Sequence, residues 1–282
     1  MEQNEFYIGW MAKAPRSFAN FVRKYLLVIL PVVILVGVLL GLLQKKFSKA
    51  NFEFGQPITI QGIYFKDPVP CIKVINGKDI FGNVSYITIP LVGYGKHGAD
   101  GVMHDIASEK NISLDQKKVS LKGTLLYSDG KTILQVDKND TVLVAFSNQP
   151  VASGLLPKKK DLGDLSIHGE IVDPKCYFGV MKPGEGKPHR DCAIRCILGG
   201  MPPVLVVKNK EGNANYYLLL GEHGEKINQE VQPYVATPVT VKARAVQYDD
   251  WIVLYVNQNA GIKEISRSAL FQPGDALACV KM

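Results

Sequence analysis

The sequence is poor in cysteine and lacks most of the patterns that announce an enzyme. Five Cys in 282 residues are too few to build a disulfide scaffold. Gly-x-Ser-x-Gly, His-Glu-x-x-His and a dinucleotide fingerprint are all absent, which lowers the case for the hydrolases, metalloproteases and nucleotide-cofactor enzymes that use them. Without Cys-x-x-Cys-His a covalent c-type haem has no anchor. No acid pair stands out, so an enzyme is disfavoured rather than excluded. Charged residues make up only 21% beside 46% hydrophobic, a balance that rules out wholesale disorder. Acidic residues are also in deficit, leaving a net charge of +7, which raises nucleic acid as a partner. The position of that charge argues otherwise. Lys13, Arg16, Arg23, Lys24, Lys45, Lys46 and Lys49, set against Glu2 and Glu5, place most of the excess in the first fifty residues. The rest of the chain is nearly neutral, and no nucleic-acid partner is expected.

Residues 25–43, YLLVILPVVILVGVLLGLL, carry no charge. As a helix this stretch reaches about 28 Å, near the ~30 Å of a hydrocarbon core. Arg23 and Lys24 flank one end and Lys45 and Lys46 the other, with Tyr25 and Phe47 at the interfacial positions. A cleaved signal peptide would have a shorter apolar run and a small-x-small site after it; Gln44-Lys45-Lys46-Phe47 is a poor site. A single-pass anchor is therefore expected. Residues 1–24 form a cytoplasmic tail, and the soluble part lies outside, although basic residues favour this orientation only slightly. Gly37 and Gly41 form a G-x-x-x-G through which a homo- or hetero-oligomer could pair its helices.

Beyond residue 50 short alternating runs take over, punctuated by Gly, Asn, Asp and Pro. ITIQGIYF (58–65), KVSLKGTLLY (118–127), KTILQVD (131–137), TVLVAF (141–146), LSIHGEIV (165–172), PVLVVKN (203–209), NYYLLLG (215–221), PVTVKARAVQY (238–248) and WIVLYVN (251–257) read as strands. VSLKGTLLYSDGKTILQVD (119–137) aligns without a gap on VTVKARAVQYDDWIVLYVN (239–257), with Val119/Val239, Lys122/Lys242, Asp129/Asp249, Leu134/Leu254 and Val136/Val256 identical. QGIYFKDPVPC (61–71) and HGEIVDPKC (168–176) share Gly, Asp-Pro and Cys in order. The expectation is a mostly β protein with two duplicated OB-like small β-barrel domains, 51–150 and 165–270, joined by a linker at 151–164. A sandwich is the alternative. A helix is expected near 224–234, and Lys158–Lys160 reads as a solvated tether.

The densest chemistry lies in 169–203. Cys176, His189, Cys192 and Cys196 fall in a C-x12-H-x2-C-x3-C spacing, unlike the usual zinc-finger spacings. A short helix over 190–198, ended by Gly199-Gly200, puts Cys192 and Cys196 on one face. His189 stands one turn earlier, and Cys176 returns across the Gly/Pro loop. These four are the candidate metal ligands, for structural zinc or, with Met181 and Met201 nearby, for copper. Two other readings stay open: a disulfide from Cys176 to Cys192 or Cys196, and a redox thiol activated by His189 and the helix start.

The run G-x-I-V-D-x-K-C … H-x-x-C-A-x-x-C-I-x-G-G resembles an uncharacterised OB-like domain of secreted or membrane-anchored bacterial proteins. The resemblance spans about 165–265. It implies weight on Asp173, Cys176, His189, Cys192 and Cys196, and a bacterial inner-membrane protein whose soluble part is periplasmic. It implies no reaction. The first copy has Cys71 but no matching His/Cys run.

The segment LVGYGKHGADGVMHDIA (91–107) reads as a surface loop. His97, His104 and Asp105 in it are secondary candidates for a metal or partner. Cys71 and Cys279 form a possible pair. Function is expected to be metal binding at the Cys/His site, a non-catalytic accessory or assembly role in a membrane complex, or thiol redox chemistry.

Overall fold

The computed structural model describes residues 14–43, 50–137, 139–257, 261–266, 268 and 270. The chain divides between Phe47 and Ser48 into two compact units. The first contains α1 (Arg16–Leu43), a helix with no buried residue whose most apolar 18-residue stretch has a mean hydropathy of 3.2. It is long and apolar enough to cross a membrane. It starts inside the segment expected to be tail, because Arg16 to Lys24 continue the helical pattern with no breaker. Phe21 and Tyr25 stack one turn apart, with ring centroids 4.6 Å apart.

The second unit is mostly β. Its first half contains β1 (Asn51–Phe52), β2 (Ile58–Phe65), β3 (Cys71–Lys78), β4 (Val84–Val92), α2 (Ala99–Glu109), β5 (Lys117–Ser128), β6 (Lys131–Val136), the helical turn α3 (Asn139–Val142) and β7 (Leu143–Ser147). β5-β2-β3-β4-β6 pair in that order, and β6 returns to β5, closing a five-stranded barrel. All of its pairings are antiparallel except β4–β6, where Leu91 faces Leu134 in parallel. Ala99, Met103 and Ile106 of α2 are buried among Ile72, Leu91, Leu121 and Leu134. The segment read as a surface loop therefore holds a core helix: Ala99, Met103 and Ile106 recur at helical spacing, a pattern that Gly98 and Gly101 hide.

The second half contains β8 (Lys159–Val172), α4 (Arg190–Leu198), β9 (Val204–Lys208), β10 (Ala214–Gly221), β11 (Pro238–Tyr248), β12 (Trp251–Val256) and β13 (Ile262–Glu264). β8-β9-β10-β12-β11 close in the same way, again with one parallel pair, β10–β12. β8 begins at Lys159, inside the expected tether, because β11 is long enough to pair back to Lys159 through a bulge at Ala245/Val246. The helix expected at 224–234 is only a 3-10 turn at Gln232–Tyr234. Pro233 lies inside that turn, and Ile227, Val231 and Val235 still bury toward the core.

The barrels share a core. Val92, Leu126 and Ile133 of the first pack with Phe178, Tyr216, Trp251 and Val253 of the second. Each closing hairpin also reaches across. The Asp249-Asp250 turn of the second barrel meets the first: Lys73 Nζ lies 2.9 Å from Asp249 Oδ2, and Thr88 N donates to Asp250 Oδ1 at 2.9 Å. Trp251 Nε1 donates to Thr88 O at 2.8 Å. In the other direction, Tyr216 of the second barrel donates its hydroxyl to Ser128 Oγ in the first-barrel turn, at 3.0 Å.

Candidate metal centre

The site is built where β8 ends. Asp173 is fully buried. Its Oδ1 accepts from the backbone N–H of Lys175 at 2.9 Å and of Cys176 at 3.4 Å. This local turn brings the chain around and leaves Oδ2 free to face inward. Cys176 opens the tight turn Cys176–Val180, which needs Gly179 at φ 141°. A Cβ on Gly179 would strike Asn51 C of β1 at 2.8 Å, so β1 backs this turn directly.

The chain then crosses the Gly/Pro loop to His189, which is 2% exposed. α4 follows over Arg190–Leu198, as its sequence predicts. Ala193 and Ile197 bury toward the barrel, which turns Cys192 and Cys196 toward Cys176. Met201 packs on Cys176 and Cys196; Met181 is exposed.

The donor atoms form two groups, each within 4.8 Å: Cys176, Cys192 and Cys196, and Asp173, Cys176 and His189. Cys176 belongs to both. The four residues singled out from sequence are thus gathered around Cys176, but His189 meets the sulfurs through it, and Asp173 joins as a fifth donor. His189 Nε2 lies 3.8 Å from Asp173 Oδ2. Asp173 Oδ2 and both ring nitrogens of His189 are buried with no hydrogen-bond partner among the described residues. Cys71, Cys176, Cys192 and Cys196 are free thiols, so Cys176 is bonded to neither helix cysteine. Cys279 lies outside the described residues.

Charge around the sulfurs is uneven. A sulfur–sulfur hydrogen bond holds the proton on Cys176, raising its thiol, while the same contact lowers Cys196 against the opposing effect of burial. The first barrel supplies the cation. Lys96 Nζ lies 2.9 Å from Cys192 Sγ and 3.9 Å from Cys196 Sγ, and the Cys192 contact raises the Lys96 ammonium above its usual range. Lys175 is buried beside the cluster, and burial brings it down to about 8. Its ammonium donates to the carbonyls of Gly93 at 2.9 Å and Gly95 at 2.7 Å.

These contacts depend on three glycines. Gly98 N donates to Gly199 O at 3.0 Å. A Cβ on Gly98 would sit 2.1 Å from Gly200 O, and one on Gly199 would sit 1.9 Å from Lys96 O. Gly93 is closed in as well, with Gly98 O at 2.5 Å from the position a Cβ would take. Sequence reasoning missed Lys96 and Lys175; the dense glycines on both sides were the available signal. The secondary candidates lie apart from the convergent donors. His104 and Asp105 are an exposed pair 3.5 Å apart on α2, and His97 lines a cleft with Asp100 and Asp105.

No protein-family model matches the chain, and no curated protein matches it.

Proposed function

We propose that this is a single-pass membrane protein whose soluble unit binds a metal ion at Cys176, His189, Cys192 and Cys196. One observation carries the reading: the unpartnered, buried Asp173 Oδ2 and His189 Nδ1 and Nε2 beside three converging sulfurs. A buried polar group with no partner costs about 1–3 kcal/mol, and three together call for a ligand. The donor types suit zinc or copper(I). Asp173 Oδ2, 3.8 Å from His189 Nε2, would on metal binding serve as the carboxylate that orients a ligating imidazole. Charge favours zinc: three thiolates and one carboxylate are matched by a divalent ion and the ammonium groups of Lys96 and Lys175.

The finer setting rests on other support. The like strand order of the barrels and the matched hairpins support duplicated OB-like domains. The basic flanks of α1 and the bacterial-domain resemblance support an inner-membrane protein facing the periplasm. Gly37 and Gly41, both open on the helix surface, support helix pairing in an accessory role.

Metal analysis of the purified full chain, beside Cys176→Ser, tests the metal reading. One zinc or copper per chain, lost in the variant, supports it. A folded, metal-free chain sinks it. A second reading has its own observation: Lys96 Nζ is 2.9 Å from Sγ of the half-buried Cys192, an electropositive setting of the kind that reactive cysteines occupy. Fast alkylation of Cys192 in a metal-free chain would favour this redox role.

A further inference from the structure

The first barrel carries large apolar side chains exposed at one end. β3 and β4 are joined by Asp79-Ile80-Phe81-Gly82-Asn83, where Ile80 is 93% and Phe81 83% exposed. The turn is firmly built. Asp79 Oδ1 accepts from Phe81 N at 2.9 Å and Asn83 N at 2.8 Å, and its Oδ2 accepts from Asn83 Nδ2 at 3.1 Å. Gly82 N donates back to Asp79 O at 3.0 Å. One carboxylate therefore holds a turn that displays two of the most water-averse side chains.

Strand register fixes which end this is. Along β2, Tyr64 faces Lys117 and Ile58 faces Gly123 of β5. Leu126 and Tyr127, which pair with Phe52 and Asn51 of β1, therefore lie beyond Ile58. β3 starts opposite Phe65 and runs antiparallel to β2, toward the same end. The Ile80–Phe81 tip and β1 thus share one end of the barrel. Phe54, 81% exposed, follows β1 there. Only residues 44–50 separate Leu43 of α1 from Asn51, a contour of about 25 Å.

We propose that the Ile80–Phe81 tip docks into the interfacial layer of the bilayer that α1 crosses. The partner is lipid. A connection of at most about 25 Å links β1 to α1, and exposed Lys78 stands next to the apolar pair, where it can meet lipid phosphate. The proposal rests on α1 being a membrane span and is independent of the metal site.

The test uses the full chain in nanodiscs of phospholipid brominated along the acyl chains. A Trp10→Phe/Phe81→Trp chain is compared with Trp10→Phe alone, which keeps only the buried Trp251. The emission added by the indole at the tip should be blue-shifted and fall by about half relative to unbrominated discs, as for an interfacial tryptophan. Unchanged emission from that indole in a disc-bound chain overturns the docking, whether water or another protein covers the tip. A chain recovered only outside the discs overturns the membrane reading as well.

Discussion

Lys73 of the first barrel and Asp249 of the second form an ion pair at 2.9 Å, with side chains 5% and 13% exposed. Asp249 Oδ1 also accepts from Lys158 N at 3.0 Å. One carboxylate thereby ties the second barrel's closing turn to the first barrel and to the chain between them. Lys73→Met should destabilise the soluble unit by about 3–5 kcal/mol, because it leaves a buried charge unmatched. Lys73→Met/Asp249→Asn should recover part of that loss. Denaturant midpoints across the double-mutant cycle read it; additive effects would show that the pair is uncoupled.

Asp173 is expected to act through His189. Asp173→Asn should keep the fold and the metal stoichiometry but weaken metal affinity about 10–100-fold. Competition with a chromophoric chelator measures this. An unchanged affinity would remove Asp173 from the site.

Metal removal should loosen the second barrel locally. Chelation is expected to lower the thermal midpoint, and hydrogen exchange should rise in 173–198 before the strands. A midpoint unaffected by chelator in a metal-loaded chain would contradict this.

Gly199→Ala should displace the 93–98 loop, since its Cβ would fall 1.9 Å from Lys96 O. The expected cost is about 1–3 kcal/mol, with Cys192 becoming more accessible to alkylation as Lys96 withdraws. Gly101→Ala, which meets nothing within 4 Å, is the control and should be near neutral or stabilising.

Phe178 is fully buried in the core shared by the barrels. Phe178→Ala should cost about 3–5 kcal/mol. A single unfolding transition that shifts as a whole would show that the barrels unfold together.

Much of this architecture was legible because alternation is strong where a strand has one wet face. β2, β11 and both closing hairpins read directly from their residues, and Asp129 and Asp249 take matching positive φ values of 45° and 52°. β3 was hidden: Cys71 to Val74 are all buried and the next four residues all exposed, so no period of two appears. α2 was hidden by its glycines. The Cys/His residues were legible by spacing, and their grouping around Cys176 was not, because it depends on a loop returning through Gly179. Lys96 was out of reach for another reason: its partner Cys192 stands 96 positions away in the sequence.

The contacts of Lys175 bear on how this protein can be divided. Its ammonium finds its acceptors on Gly93 and Gly95, in the other barrel. Cut free of the first barrel, the cysteine-bearing half would keep all its sulfurs and lose both the acceptors for Lys175 and the cation beside Cys192. The two barrels have like strand orders, but the half with the Cys/His cluster is not a portable module.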